Sequence, residues 1–188
     1  MRRNIITISG FPGSGKSSTA KGVAKRLGHE HFSSGDLFRE MAAEGGLSVE
    51  EINLAAEKSR EIDYAVDDLL QKIGQEKNNL VIDSRTAFHW IPDSFKVFLD
   101  LDPRISAERT LNQIKNEGRT SQRGSSIEEV YQNTLNRVES ERKRYRDLYD
   151  IDYMAKDQFD LVVDTKVNNL EQVIDIVVSE YKDWLNST

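Results

Sequence analysis

Residues Gly10 to Ser17 read GFPGSGKS, the spacing G-x-x-x-x-G-K-S, and they follow directly on the apolar run Ile5, Ile6, Thr7, Ile8. This combination suits the binding of a nucleoside triphosphate. Gly13 and Gly15 let backbone N–H groups turn inward around phosphate oxygens, and Gly15 opens onto a helix N-terminus, where unpaired amides favour anions. Lys16 then reaches the β- and γ-phosphates, and the Ser17 hydroxyl is a ligand for Mg²⁺. A chance glycine-rich turn lacks the required context. Here the strand precedes the loop, and a helix from Ser17 to Leu27 follows it, with Val23, Ala24 and Leu27 on one face.

A second group of residues has the chemistry to hold an anionic acceptor. In Ser33-Ser34-Gly35-Asp36-Leu37-Phe38-Arg39 a glycine starts a helix, and Asp36 and Arg39 fall three residues apart on one face. Arg39 offers a planar fork to a phosphate; the alternative is a plain i,i+3 ion pair with Asp36. The run Val81-Ile82-Asp83-Ser84-Arg85 ends a strand, and the carboxyl ends of parallel strands are where such sheets bind ligands. Arg85 is therefore predicted to bind the acceptor, and Asp83 to support the magnesium shell through water or to orient an acceptor; the alternative is that the two pair at the rim. Arg119 and Arg123 sit in the connection Gly118 to Gly124, which reads as a mobile basic lid able to bring cations onto a transferring phosphoryl group. Arg137 and Arg144, seven apart, share a helix face and rank above Arg142 and Arg146. With Glu139 and Lys143 at i,i+4, a solvated helix laced with ion pairs is an equal reading of that run.

Other residues carry less. His29, His31 and His89 lack metal-ligand spacing and read as surface or packing residues. Asp100 and Asp102 precede Pro103 and suit a helix start. Phe88 and Trp90 read as core rather than as a base-stacking platform.

The elements that must position these residues alternate. Strands are predicted at Ile5 to Ser9, His31 to Ser33, Leu80 to Asp83, Phe95 to Leu101 and Phe159 to Val163. Helices are predicted at Ser17 to Leu27, Gly35 to Glu44, Ser48 to Ile73 with a break near Ser59, Pro103 to Glu117, Ser126 to Tyr149 and Asn169 to Leu185. That order implies parallel βαβ construction in a single α/β domain of 188 residues, with Gly45-Gly46 as a hinge between two helices. Ser48 with Glu51 and Ser126 with Glu129 read as capping boxes. A formal charge of −6 argues against nucleic-acid binding, while local convergence of cations still permits phosphate binding. The absence of cysteine excludes disulfides and thiolate metal sites, and no apolar run approaches membrane-spanning length, so a cytoplasmic monomer acting on small nucleotides is expected.

Taken together, the segments ITISGFPGSGKSS (Ile6 to Ser18), SSGDLFREMA (Ser33 to Ala42), Glu61-Ile62-Asp63, Ile82 to Trp90, Ala107-Glu108-Arg109 and RVESERKRYRDLYDID (Arg137 to Asp152) resemble nucleoside monophosphate kinases of the archaeal cytidylate kinase type. The resemblance implies a P-loop kinase fold with a five-stranded parallel sheet, an acceptor-binding helical part at 34–75 and a lid at about 113–126. It also implies transfer of the γ-phosphoryl of ATP to CMP or dCMP with Mg²⁺. In this frame Gly10, Phe11, Pro12, Gly13, Ser14, Gly15, Lys16, Ser17 and Ser18 hold ATP, and Ser34, Gly35, Asp36, Arg39, Asp63, Asp83 and Arg85 serve the acceptor. Lys16, Arg119, Arg123, Arg137 and Arg144 bear on the transferring group. The chain departs from the pattern at Lys16 and Ser17, where many relatives carry threonines, at Ser84 and His89, where glycines are expected, and in a longer Gln113 to Gly124 segment. A same-fold kinase for AMP, UMP or shikimate, or a nucleotide-dependent switch, remains as an alternative reading of the residues themselves.

Overall fold

Five parallel strands order as β2-β3-β1-β4-β5 in the computed structural model, which describes residues 3–47, 51, 55, 60–117 and 126–187. They are β1 (Ile5–Gly10), β2 (Glu30–Ser33), β3 (Leu80–Asp83), β4 (Phe95–Asp100) and β5 (Leu161–Asp164). The central strand β1 is buried along its whole length, which is why it reads as a continuous apolar run rather than an alternating one. On one face α1 (Lys16–Leu27) and α7 (Leu170–Asn186) bring Val23, Ala24, Ile174 and Val177 against Ile6, Ile8, Val97 and Leu99. The other face is covered by α2 (Ser34–Glu44), α3 (Glu61–Glu76) and α4 (Ala87–Trp90), with Val66, Leu70 and Ile91 on Ile5, Leu80 and Ile82. Two further helices, α5 (Pro103–Glu117) and α6 (Ile127–Tyr149), pack on each other through Ala107, Leu111 and Val130. Val138 of α6 then docks on Phe11 and Leu101, and Tyr145 on Phe88 and Tyr153.

The register gathers the site. Asp83 pairs with Ile8 on one side and Ser33 on the other, while Gly10 pairs with Leu99. The loop after β1, the start of α2 and the residues after β3 therefore emerge side by side at the carboxyl end of the sheet.

The expected parallel sheet is present, with local differences. The short helix α4 is not foreseen, because four residues carry no readable period. β5 begins at Leu161 rather than Phe159, because Lys156–Gln158 coil into a 3₁₀ turn and the Phe159 ring turns inward onto Phe88 and Phe98. Ser126 caps α6 by accepting from the Glu129 amide at 3.2 Å, while a reciprocal capping box stands unforeseen at Asn169 and Gln172. Ser48 and most of 52–59 lie outside the described residues.

Candidate active site

The phosphate loop is shaped by close approach. Gly10 has φ 145°, and a Cβ there would sit 2.3 Å from the Leu99 carbonyl oxygen; a Cβ on Gly13 would sit 2.7 Å from Ser106 Oγ. At Gly10 no larger residue fits without moving the β4 backbone, and at Gly13 a left-handed φ of 76° adds strain to the contact with the Ser106 hydroxyl. The loop is pinned as well as tight: Phe11 N–H donates to Leu99 O at 3.1 Å, and Ser106 Oγ donates to Pro12 O at 2.6 Å. Lys16 curls back over the loop, its Nζ donating to Gly10 O at 2.9 Å and Phe11 O at 3.0 Å. Burial, aided by the nearby Arg85 cation, lowers its pKa from 10.5 to about 7. An arriving polyphosphate reverses that pressure, since an anion beside the amine favours its charged form.

Asp83 stands at the foot of the loop. Ser17 Oγ donates to its Oδ2 at 2.5 Å, and His31 Nε2 lies 3.1 Å from its Oδ1. Burial alone would raise this carboxyl, but hydrogen bonds from His31, Ser17 and Ser33 outweigh it and hold the group below the usual carboxylate range. A hydroxyl and a carboxylate oxygen are the hard donors Mg²⁺ prefers, and that ion takes one or two protein oxygens beside phosphates and water. The residues present thus fit it. His31, expected to be a surface or packing residue, is instead Asp83's partner across the sheet, a placement that only the strand register reveals.

Arg85 and Arg137 are held by a residue the sequence reading missed. Arg85 Nε meets Glu141 Oε2 at 2.5 Å, Arg137 Nε meets Oε1 at 2.9 Å, and Tyr153 OH donates to Oε2 at 2.9 Å. Glu141 is buried; burial would raise its pKa, but the two guanidinium groups pull it down to about 2. The rim pair of Arg85 with Asp83 does not form. The available signal for Glu141 was its i,i+4 relation to Arg137.

Across the cleft, α3 contributes two buried carboxylates. Asp67 accepts from Thr86 Oγ1 at 3.0 Å, from Trp90 Nε1 at 2.8 Å and from Tyr149 OH. Trp90, expected to be core, thus also serves as a donor. Asp63 Oδ2 lies 3.0 Å from Arg144 Nε, yet neither atom makes an aligned hydrogen bond. Burial raises the Asp63 pKa to about 6 despite that cation.

One cleft brings together Pro12, Gly13, Gly15, Lys16, Ser17 and Ser18 of the loop, Ser34, Gly35 and Arg39 of α2, Asp63, Asp83 and Arg85, and Arg137 and Arg144 of α6. Gly10, Phe11 and Ser14 lie behind it, with the Phe11 ring in the core and Ser14 buried. Asp36 stands off the wall with its carboxylate on Arg39, so the i,i+3 ion pair does form. Ser84 lines the cleft, whereas His89 packs edge-on against Trp90 at 4.6 Å. Arg142 and Arg146 turn away to Asp152, and Arg119 and Arg123 lie outside the described residues.

The strand order and the pinned phosphate loop define a P-loop kinase fold. Shikimate kinase from Bacteroides thetaiotaomicron has the same architecture, with TM-score 0.65 at 16% identity over 97% of this chain and 98% of that one. A gluconokinase from Sinorhizobium meliloti gives 0.60 at 13% identity over 100% of each chain. The AAA domain family matches residues 9–130. The cytidylate kinase of Halorubrum lacusprofundi is 37% identical over 93% of this chain and 88% of its own, and that of Methanosphaera stadtmanae 31% identical over 92% and 95%. The chain belongs to the cytidylate kinase family. No helix among the described residues is long and apolar enough to cross a membrane.

Proposed function

We propose that this protein transfers the γ-phosphoryl group of ATP to CMP or dCMP, giving the nucleoside diphosphate and ADP. The observation that carries the reading is one cleft in which a pinned phosphate loop with Lys16 faces the guanidinium groups of Arg39, Arg85, Arg137 and Arg144, in a chain of the cytidylate kinase family. Gly10 to Ser18 cradle the triphosphate, and Ser34, Gly35, Arg39, Asp63 and Arg85 receive the monophosphate, with Asp36 steering Arg39. An oxygen of the acceptor phosphate forms the new bond to γ-phosphorus as the bond to the β,γ-bridging oxygen breaks, and the electron pair leaves on ADP. The acceptor is already ionised, so positioning and charge stabilisation suffice and no strong base is needed. Lys16 and Arg137 bear on the oxygens that gain charge, and Arg144, ion-paired with Asp63 at 3.0 Å, serves the acceptor side of the transfer. Arg119 and Arg123, which lie outside the described residues, are assigned to the transferring group by the sequence and the family resemblance alone. Ser17 and Asp83 would hold Mg²⁺, which when bound supplies positive charge against the phosphate oxygens. The protein works as a monomer in the cytoplasm on free nucleotides, in keeping with its acidic balance.

A coupled assay of ADP formation with ATP, Mg²⁺ and a panel of monophosphates tests this. CMP or dCMP gives the highest kcat/KM. ATP binding with no acceleration by any monophosphate would overturn the kinase reading in favour of a nucleotide switch, and preference for AMP would overturn the acceptor assignment.

A further inference from the structure

The cleft is electrically divided. Lys16, Arg85 and Arg137 outnumber Asp83 and Glu141 at one end, while Asp63 and Asp67 on α3, beside Phe38 and Val66, outnumber Arg144 at the other. A phosphate is repelled from two carboxylates, so the acidic end suits an uncharged, flat part of the acceptor that carries hydrogen-bond donors.

The two carboxylates differ in what they have left to give. Asp67 already accepts from Thr86, Trp90 and Tyr149. Asp63 is 5% exposed, lines the same cleft, and has an Oδ2 with no aligned donor even though Arg144 Nε is 3.0 Å away. A buried acceptor without a donor is costly to the folded chain, and such groups mark functional sites. We propose that Asp63 is the specificity-determining residue of the acceptor end, accepting a hydrogen bond from the exocyclic amine of cytosine. Uracil presents a carbonyl oxygen at that position, which a carboxylate repels, so the same side chain that welcomes one pyrimidine rejects the other. The Arg144 guanidinium reaches Asp63 from α6, and Asp67, with three donors already on it, lies one turn along α3. The inference rests on the monophosphate kinase reading above.

The alternative donor is a ribose hydroxyl, and the test separates the two. Steady-state kinetics at saturating ATP with CMP, dCMP and UMP are compared for wild type and D63N, whose amide N–H can donate to the uracil carbonyl. The CMP:UMP ratio of kcat/KM falls at least tenfold in D63N, with the KM for ATP unchanged. Equal losses with CMP and UMP would make Asp63 merely the partner of Arg144 and overturn the proposal, as would a change confined to the CMP:dCMP ratio. Should D63N not fold, D63S is read for the same ratio, with circular dichroism confirming its fold. Failure of the underlying kinase reading shows separately, as a wild-type enzyme that phosphorylates no monophosphate.

Discussion

The two ends of the cleft are built on opposite plans. The donor end is eight consecutive residues, mostly main chain, fixed by glycines that cannot be larger and by short contacts to Leu99 and Ser106. The acceptor end is assembled from side chains of α2, α3, α6 and the segment after β3, and its key cations are held by another buried side chain. The first is stiff by geometry and tolerant of distant change. The second is stiff only while its charge network is complete, because a buried ion that loses its partner costs about 3–5 kcal/mol.

The largest effect should come from the one side chain on which the donor end depends. Lys16→Ala is expected to lower kcat about a thousandfold, the scale of losing a charge that acts on the transition state. It should not lower Tm, since the lysine is held in an environment that disfavours its charge. The sign of the pH dependence follows. Between pH 7 and 10.5 the unfolded chain keeps a proton that folded Lys16 has released, so wild-type stability gains a contribution as pH rises through that window, and Lys16→Ala loses it. ATP binding should in turn pull a proton onto the protein at pH 8 and none at pH 6. Calorimetry in buffers of different ionisation enthalpy measures that uptake, and its absence would put Lys16 away from the phosphates.

At the acceptor end, Arg85→Lys is expected to raise the KM for the monophosphate by about 10- to 100-fold with little change for ATP, because an ammonium cannot replace a guanidinium that bonds Glu141 and, in the function proposed, a phosphate as well. Equal rises for both substrates would erase the contrast between the ends. Glu141→Gln tests the network itself. Its folded pKa of about 2 lies below the 4.5 of an ordinary glutamate, so it contributes stability at pH above 4.5 that disappears as pH falls toward 2. The variant should be less stable at pH 7, by about 3 kcal/mol in denaturant titration, and flatter between pH 4.5 and 2.

The same contrast governs what could be read from the sequence. The donor end is legible because its residues are contiguous and its requirements are steric: the strand, Gly13, Gly15, Lys16 and Ser17 name the site by themselves. The parallel sheet is legible for a similar reason, from apolar runs alternating with helical periods. The acceptor end depends on pairs far apart in the chain. Arg85 with Glu141 is 56 residues apart, and His31 with Asp83 is 52. Local rules favour near partners, so they offer Asp83 for Arg85; the fold offers Glu141 of α6 instead. Local alternatives that the structure does contain are the ion pair of Asp36 with Arg39 and Asp102 as a helix-start cap, accepting from the Arg104 amide at 2.8 Å.

The smallest change that still distinguishes the two ends removes a single oxygen. Tyr153 is fully buried and donates to Glu141 Oε2 at 2.9 Å, with no contact to the phosphate loop among its hydrogen bonds. Tyr153→Phe keeps the ring, and with it the packing on Tyr145 at 5.6 Å. A hydrogen bond to a charged group is worth about 1.5–3 kcal/mol, and part of that loss is recovered because two guanidinium groups still hold Glu141. The expected outcome is a fall in stability of about 1 to 2 kcal/mol and a rise of about threefold to tenfold in the monophosphate KM, with kcat/KM for ATP moving less than twofold. A fall in kcat/KM for ATP of the same size would mean that the charge network reaches the donor loop through Arg137, and that the two ends form one mechanical unit.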